Sequence, residues 1–126
     1  MMAESVLILL LLSILPFMVI IFGRIFMYKA PKRINWAYGY RTDRSMKNEQ
    51  TWAFAHQTIG KVWFYGGMVL ELVIFITIVV FYELEVIFND TIVTVFMLLP
   101  LLFMFITISY TEQRLKKTFD DKGNKK

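Results

Sequence analysis

Arg41, Thr42, Ser45, Asn48 and His56 fall in one polar stretch of an otherwise greasy chain, beside Gly39, Tyr40 and Trp52. The run YGYRTDRSMKNEQTW occupies positions 38–52. A guanidinium carries a planar fork of donors that matches a carboxylate or a phosphate in two parallel bonds, which an ammonium cannot do. Arg41 is therefore a candidate anion-binding residue, and two sources of the anion stay open. One is internal, Asp43 or Glu49, and makes the block a structural clasp. The other is external, a lipid phosphate or the acidic group of a peptide, and makes it a recognition site. Thr42, Ser45 and Asn48 either cap the next helix or share that ligand, with the Trp52 ring packed beneath. Gly39 lies between two tyrosines, where the backbone can take a turn that costs other residues strain. A second candidate is Glu71, set within the apolar run GGMVLELVIF.

Other chemistry is poorly supplied. The chain has no cysteine and one histidine, His56, so thiolate chemistry is excluded and a zinc site lacks ligands at the usual spacing. No metal and no cofactor is expected. An enzyme acting on lipids would use Arg41 on phosphate with His56 or Glu71 as base. No nucleophile is paired with a base, which makes this the weakest reading and catalytic residues none.

The elements that must position these residues are membrane spans. Of 126 residues, 57% are hydrophobic and 17% aromatic. The apolar residues form three blocks, about 5–23, 62–82 and 91–110, each near the roughly 20 helical residues that cross a hydrocarbon core. The expected fold is an all-α integral membrane protein of three transmembrane helices. It is read as one domain over 1–126, with a loop over 24–61 and a tail over 111–126. The first block begins Met-Met-Ala-Glu-Ser with no basic residue and ends without a small-residue cleavage site, so it reads as a retained helix.

Charge sets the expected orientation. Lysine and arginine are confined to Arg24–Lys61 and to the tail from Arg114 onward, while the second loop, ELEVIFND, is acidic. Positive charge stays cytoplasmic, which predicts the N-terminus outside, and the long loop and the tail inside. The pI of about 9.4 then reflects this topology and attraction to anionic membrane lipids, with no nucleic-acid module.

Within the loop, Pro31 ends the first helix. Ser45 looks like an N-cap with Glu49 in the first turn, and Trp52, Ala55 and Ile59 share a stripe away from Lys47, Gln50 and Gln57. These predict a short cytoplasmic amphipathic helix along the inner membrane surface, ending at Gly60. Trp36, Tyr38, Tyr40, Trp52 and Trp63 suit an aromatic belt, which competes with the site reading. The tail is expected to continue the third helix for a turn or two and then fray. At helical spacing Gly60, Phe64, Gly67 and Glu71 share a face. The glycines predict close approach of another helix, and they admit a homodimer. Glu71 lies near mid-depth, level with Ser13, Pro16 and Pro100, whose prolines free the carbonyls of Leu12 and Phe96.

The block YGYRTDRSMKNEQTWAFAHQTIGK resembles the signature of the SdpI family of small bacterial membrane proteins: Gly39, Arg41 and Thr42, then Ser45, Asn48, Trp52, Ala55 and Gly60 in this sequence. That resemblance covers about a quarter of the chain. It implies a multi-pass protein of the bacterial cell membrane giving immunity to a membrane-active toxic peptide, as in bacteriocin resistance. The family's best-known member is longer, with extra spans before the motif, and also signals by holding a repressor at the membrane. The implied partners are membrane lipids and a toxic peptide or lipid-linked ligand. The alternative reading is a small transporter, flippase-like protein or lipid-binding subunit that uses the Glu71 carboxyl and the Arg41 motif.

Overall fold

The computed structural model describes residues 2–126, and for Met2, Ala3 and Ser5 the backbone alone. Helix α1 is Met2–Tyr28, α2 is Glu49–Lys61, α3 is Gly67–Glu83 and α4 is Asp90–Thr118. A π-helical turn, Val62–Gly66, joins α2 to α3. No β-strand occurs among the described residues, and three helical stretches are long and apolar enough to cross a membrane. Most of the apolar surface along them is open, as at Leu10, Met97 and Phe105, which suits a lipid surround.

The expected surface helix is corrected in two ways. Its cap is Asn48 and not Ser45: the Asn48 Oδ1 accepts the N–H groups of Gln50 and Thr51 at 3.0 Å each, and the Thr51 hydroxyl accepts the Asn48 N–H at 3.1 Å. This reciprocal pair satisfies donors that the first helical turn leaves free. Nor does the helix stop at Gly60. Lys61, Val62, Gly66 and Gly67 all keep right-handed helical dihedrals, so the chain runs as one helix of 35 residues from Glu49 to Glu83. At about 1.5 Å per residue it outreaches a hydrocarbon core about 30 Å thick, and α2 is the end that projects beyond it.

In the tail the expected helical continuation is present, and the expected fraying is corrected. Helix α4 continues to Thr118, and the chain then folds back, with Phe119 bridged to Lys125. One Asp120 carboxylate oxygen accepts the backbone N–H groups of Lys122 and Asn124 at 2.9 and 2.8 Å. Those bonds, the Asn124 N–H foremost, hold the Asp120 carboxyl below its ordinary value. Gly123, at φ +87°, rests on Lys47 and Asn48, and its carbonyl accepts from the Asn48 amide at 2.7 Å.

Helix α1 crosses the continuous helix through its glycines. A Cβ on Gly23 would stand 2.3 Å from the backbone N of Phe64, and one on Gly60 would stand 2.8 Å from the backbone N of Met27. The glycine face is therefore filled by α1 of the same chain, and that face is not free for a second copy. Buried side chains form two clusters. Phe26, Tyr40, Ala55, Ile59, Leu115 and Phe119 lie under the loop, and Leu12, Ile74, Ile78 and Phe96 lie toward the far end.

Gly23→Ala should lower stability by about 1–3 kcal/mol, because the new methyl meets backbone that cannot move aside. Gly66→Ala should cost less, since its methyl meets only the rim of the Phe103 ring. Thermal unfolding in one detergent measures both, and equal losses would contradict the backbone-contact account.

Candidate functional site

The signature stretch is a folded loop fastened to the helical bundle. Gly39 has φ +128°, and a Cβ there would lie 2.7 Å from the His56 Nε2 and 2.8 Å from the Trp52 ring. Both dihedral and space demand glycine. That approach lets the Tyr40 N–H donate to the His56 Nε2 at 2.9 Å. With Nε2 accepting, the ring proton sits on Nδ1, which donates to the Trp52 carbonyl at 2.8 Å. His56 is 1% exposed, with its ring edge-on to Phe26. Both nitrogens are committed to backbone, so His56 acts as a bracket between loop and helix.

Trp52 is also 1% exposed, and its indole N–H donates to the Pro31 carbonyl at 2.6 Å, tying the start of the loop to α2. Ser45 is fully buried: its hydroxyl donates to the Tyr40 carbonyl at 2.8 Å and accepts the Thr42 N–H at 2.9 Å. Thr51 closes the next turn by donating to the Ser45 carbonyl at 3.0 Å. The aromatic belt thus shrinks. Tyr40 and Trp52 are buried, and Trp63 is half-buried and donates to the Thr107 hydroxyl at 2.8 Å. Trp36, 82% exposed, and Tyr38 retain the open position that a belt requires.

The third tie rests on a residue that the sequence did not single out. Glu112 on α4 accepts the Tyr40 phenol at 2.7 Å and the Thr42 hydroxyl at 2.8 Å, both on Oε1. Burial, then the Glu112 carboxylate, push the Tyr40 phenol well above its ordinary value, so it stays a donor. The available signal was helical phase: Ile108, Thr111, Glu112 and Leu115 share one face of α4, which runs from the end of the third span into what reads as a polar tail.

Arg41 stands outside this network. Its side chain is exposed, one Nη donates to the Trp36 carbonyl, and no carboxylate pairs with it among the described residues. The internal partners considered for it, Asp43 and Glu49, do not close on it. Ile34, Trp36, Arg41, Thr42, Asp43, Met46 and Lys47 line a concave surface of about 710 Å³. The loop is therefore a built support that presents Arg41 outward.

Glu71 is remote from the loop. Gly67 packs on Ile20 and Val19, and continuing that antiparallel register by one turn brings Glu71 opposite Pro16. Pro16 and Pro100 are both fully buried. The Glu71 Oε2 is buried and has no hydrogen-bond partner among the described residues, so that oxygen makes no bond to the carbonyls that the prolines free. Among the same residues no acidic and histidine side chains cluster as a metal site would need.

Tyr40→Phe and Glu112→Ala should each destabilise by about 1–3 kcal/mol, and the double variant by clearly less than their sum, since both remove one bond. Additive losses in a thermal or denaturant series would deny that the two groups bond. The contribution should be intact below the ordinary phenol value of 10.0 and should fall as pH climbs above it, because there only the unfolded phenol ionises.

A family model described as the SdpI/YfhL protein family matches residues 32–111. That stretch holds the loop, the continuous helix and most of α4. Neither the curated proteins nor the solved structures contain a significant match. The match runs well beyond the signature residues and takes in most of the chain, so this protein belongs to the SdpI/YfhL family.

Proposed function

We propose that this protein is an immunity-type component of the bacterial cell membrane that withstands a membrane-active toxic peptide by binding it, or a lipid-linked ligand, with no covalent chemistry. The observation that carries this reading is the loop. Seven of the eight signature positions lie in or under a hydrogen-bonded loop, and the eighth, the one long cationic side chain among them, Arg41, is left exposed without a carboxylate. A residue needed only for folding would be expected inside the network, as Ser45 and Trp52 are. Family membership supports an immunity-type membrane protein. The distribution of lysine and arginine supports an outside N-terminus, with loop and tail in the cytoplasm.

A second reading is favoured by Glu71. A buried carboxyl oxygen without a partner among the described residues suits a transporter or flippase-like protein with a polar site in the bundle.

A challenge assay separates the two. The chain is expressed in a sensitive bacterial host exposed to membrane-active peptides, at matched membrane levels of each variant. Arg41→Lys should lose protection about as fully as Arg41→Ala, since an ammonium cannot replace the fork, while Arg33→Lys and Lys47→Arg should be silent. Full protection by Arg41→Lys would end the recognition reading. Loss with Glu71→Gln alone would move the site into the bundle. A reporter fused after Lys126 should work only if it is a cytoplasmic type, and an active external reporter there would reverse the orientation.

A further inference from the structure

Going along the continuous helix and α4 from the basic end, the last cations before the apolar run are Lys61 and Arg114. No lysine or arginine occurs between them in sequence. The fold brings these two boundary cations together. With Thr58, Tyr110, Phe54 and Val62 they line a hollow of about 330 Å³ between α2 and α4. Lys61 and Arg114 are exposed, and neither takes part in an ion pair among the described residues. The nearby acid on α4, Glu112, turns its Oε1 to Tyr40 and Thr42. Arg24, the corresponding first cation on α1, is placed elsewhere, over the Tyr28 and Phe64 rings at 5.6 and 5.9 Å. None of the lining residues belongs to the signature built around Arg41.

We infer that this hollow is a binding site for the phosphate of an anionic phospholipid in the leaflet facing the basic end of the protein. A point charge and a guanidinium fork from two helices can grip one phosphate. The Tyr110 and Thr58 hydroxyls add donors at the same level. Val62, on the apolar side of Lys61, gives the glycerol and the first acyl carbons an apolar wall, and Phe54 closes the hollow on the loop side. The position favours a lipid over a soluble phosphate: the site lies where the apolar run ends, which is where headgroups stand. It also bridges the end of α2 to α4, so an occupied site would brace the helices that carry the loop.

The purified protein would be tested by native mass spectrometry with phosphatidylglycerol or phosphatidylcholine added. The wild type should retain phosphatidylglycerol in preference. Lys61→Gln with Arg114→Gln should lower that retention about tenfold or more, because each basic residue contributes to anionic-lipid attraction. Lys122→Gln with Lys125→Gln, which removes equal charge from the tail, should stay within about twofold of wild type. Lys61→Arg with Arg114→Lys should keep the preference and guards against a folding defect in the glutamine variant. Equal losses in the two glutamine variants would reduce the effect to general surface attraction and overturn the site. So would no loss in either, or equal retention of phosphatidylcholine. A last arm adds glycerol phosphate or inorganic phosphate at millimolar level. Full displacement of the lipid by either would make the ligand a soluble phosphate and overturn the lipid assignment.

Discussion

The loop depends on one carboxylate oxygen. Glu112 Oε1 takes the Tyr40 and Thr42 hydroxyls together, and through them α4 holds a segment more than sixty residues away in sequence. Ionised acceptors make stronger bonds than neutral ones, and here two donors converge in a half-buried place where water competes poorly. Without that oxygen the hydroxyls would lose their shared acceptor, and the backbone between Tyr40 and Ser45 would lose its tie to the bundle. His56 secures the other side of the same turn by accepting the Tyr40 N–H. The loop is thus held from α2 and from α4, and the Pro31 carbonyl, bound by Trp52, fixes its entry from α1.

A second constraint works beneath the loop. Helices in lipid gain little from hiding apolar surface, so they associate by close packing. Gly23 and Gly60 let α1 lie against the backbone of the continuous helix, and the π-turn at Val62–Gly66 falls at this crossing. Single π-turns inside a longer helix are found frequently at functional sites. Here the residues on one side of it face the polar loop, and those on the other face lipid. Trp63, within the turn, reaches Thr107 on α4, so the turn touches both partner helices.

The sequence made the three spans legible because lipid demands length and apolarity in one block. It made the glycine contacts legible through their spacing, and Gly39 through its setting between tyrosines. What it hid were choices between equal candidates. Ser45 and Asn48 are both good caps, and the side chain that reaches the first turn is decided by the tight Tyr40–Ser45 turn, which buries the serine hydroxyl. The tail reads as polar and loose because its order comes from contacts with Lys47 and Asn48, far away in the chain. Glu112 was hidden by its neighbours: an acid among Gln113, Arg114, Lys116 and Lys117 looks like a solvated helix end until the loop is seen to need an acceptor there.

The polar groups divide by what surrounds them. Tyr40, Ser45, Asn48, Trp52 and His56 have their bonds answered within the chain, so they account for shape. Arg41 keeps an exposed guanidinium with no carboxylate beyond its bond to the Trp36 carbonyl, and the Glu71 Oε2 has no partner among the described residues; the two lie at different depths, one on the loop surface and one within the bundle. An unanswered group in water costs little, because solvent replaces the partner, whereas an unanswered oxygen within a bundle has no such substitute. The two are therefore unequal as signs of function. Arg41 is exposed where an anion can reach it, and its exposure is maintained by a whole loop of satisfied bonds. Glu71 is tolerated against an energetic penalty that an apolar side chain would avoid, which makes its retention the harder fact to explain by folding alone.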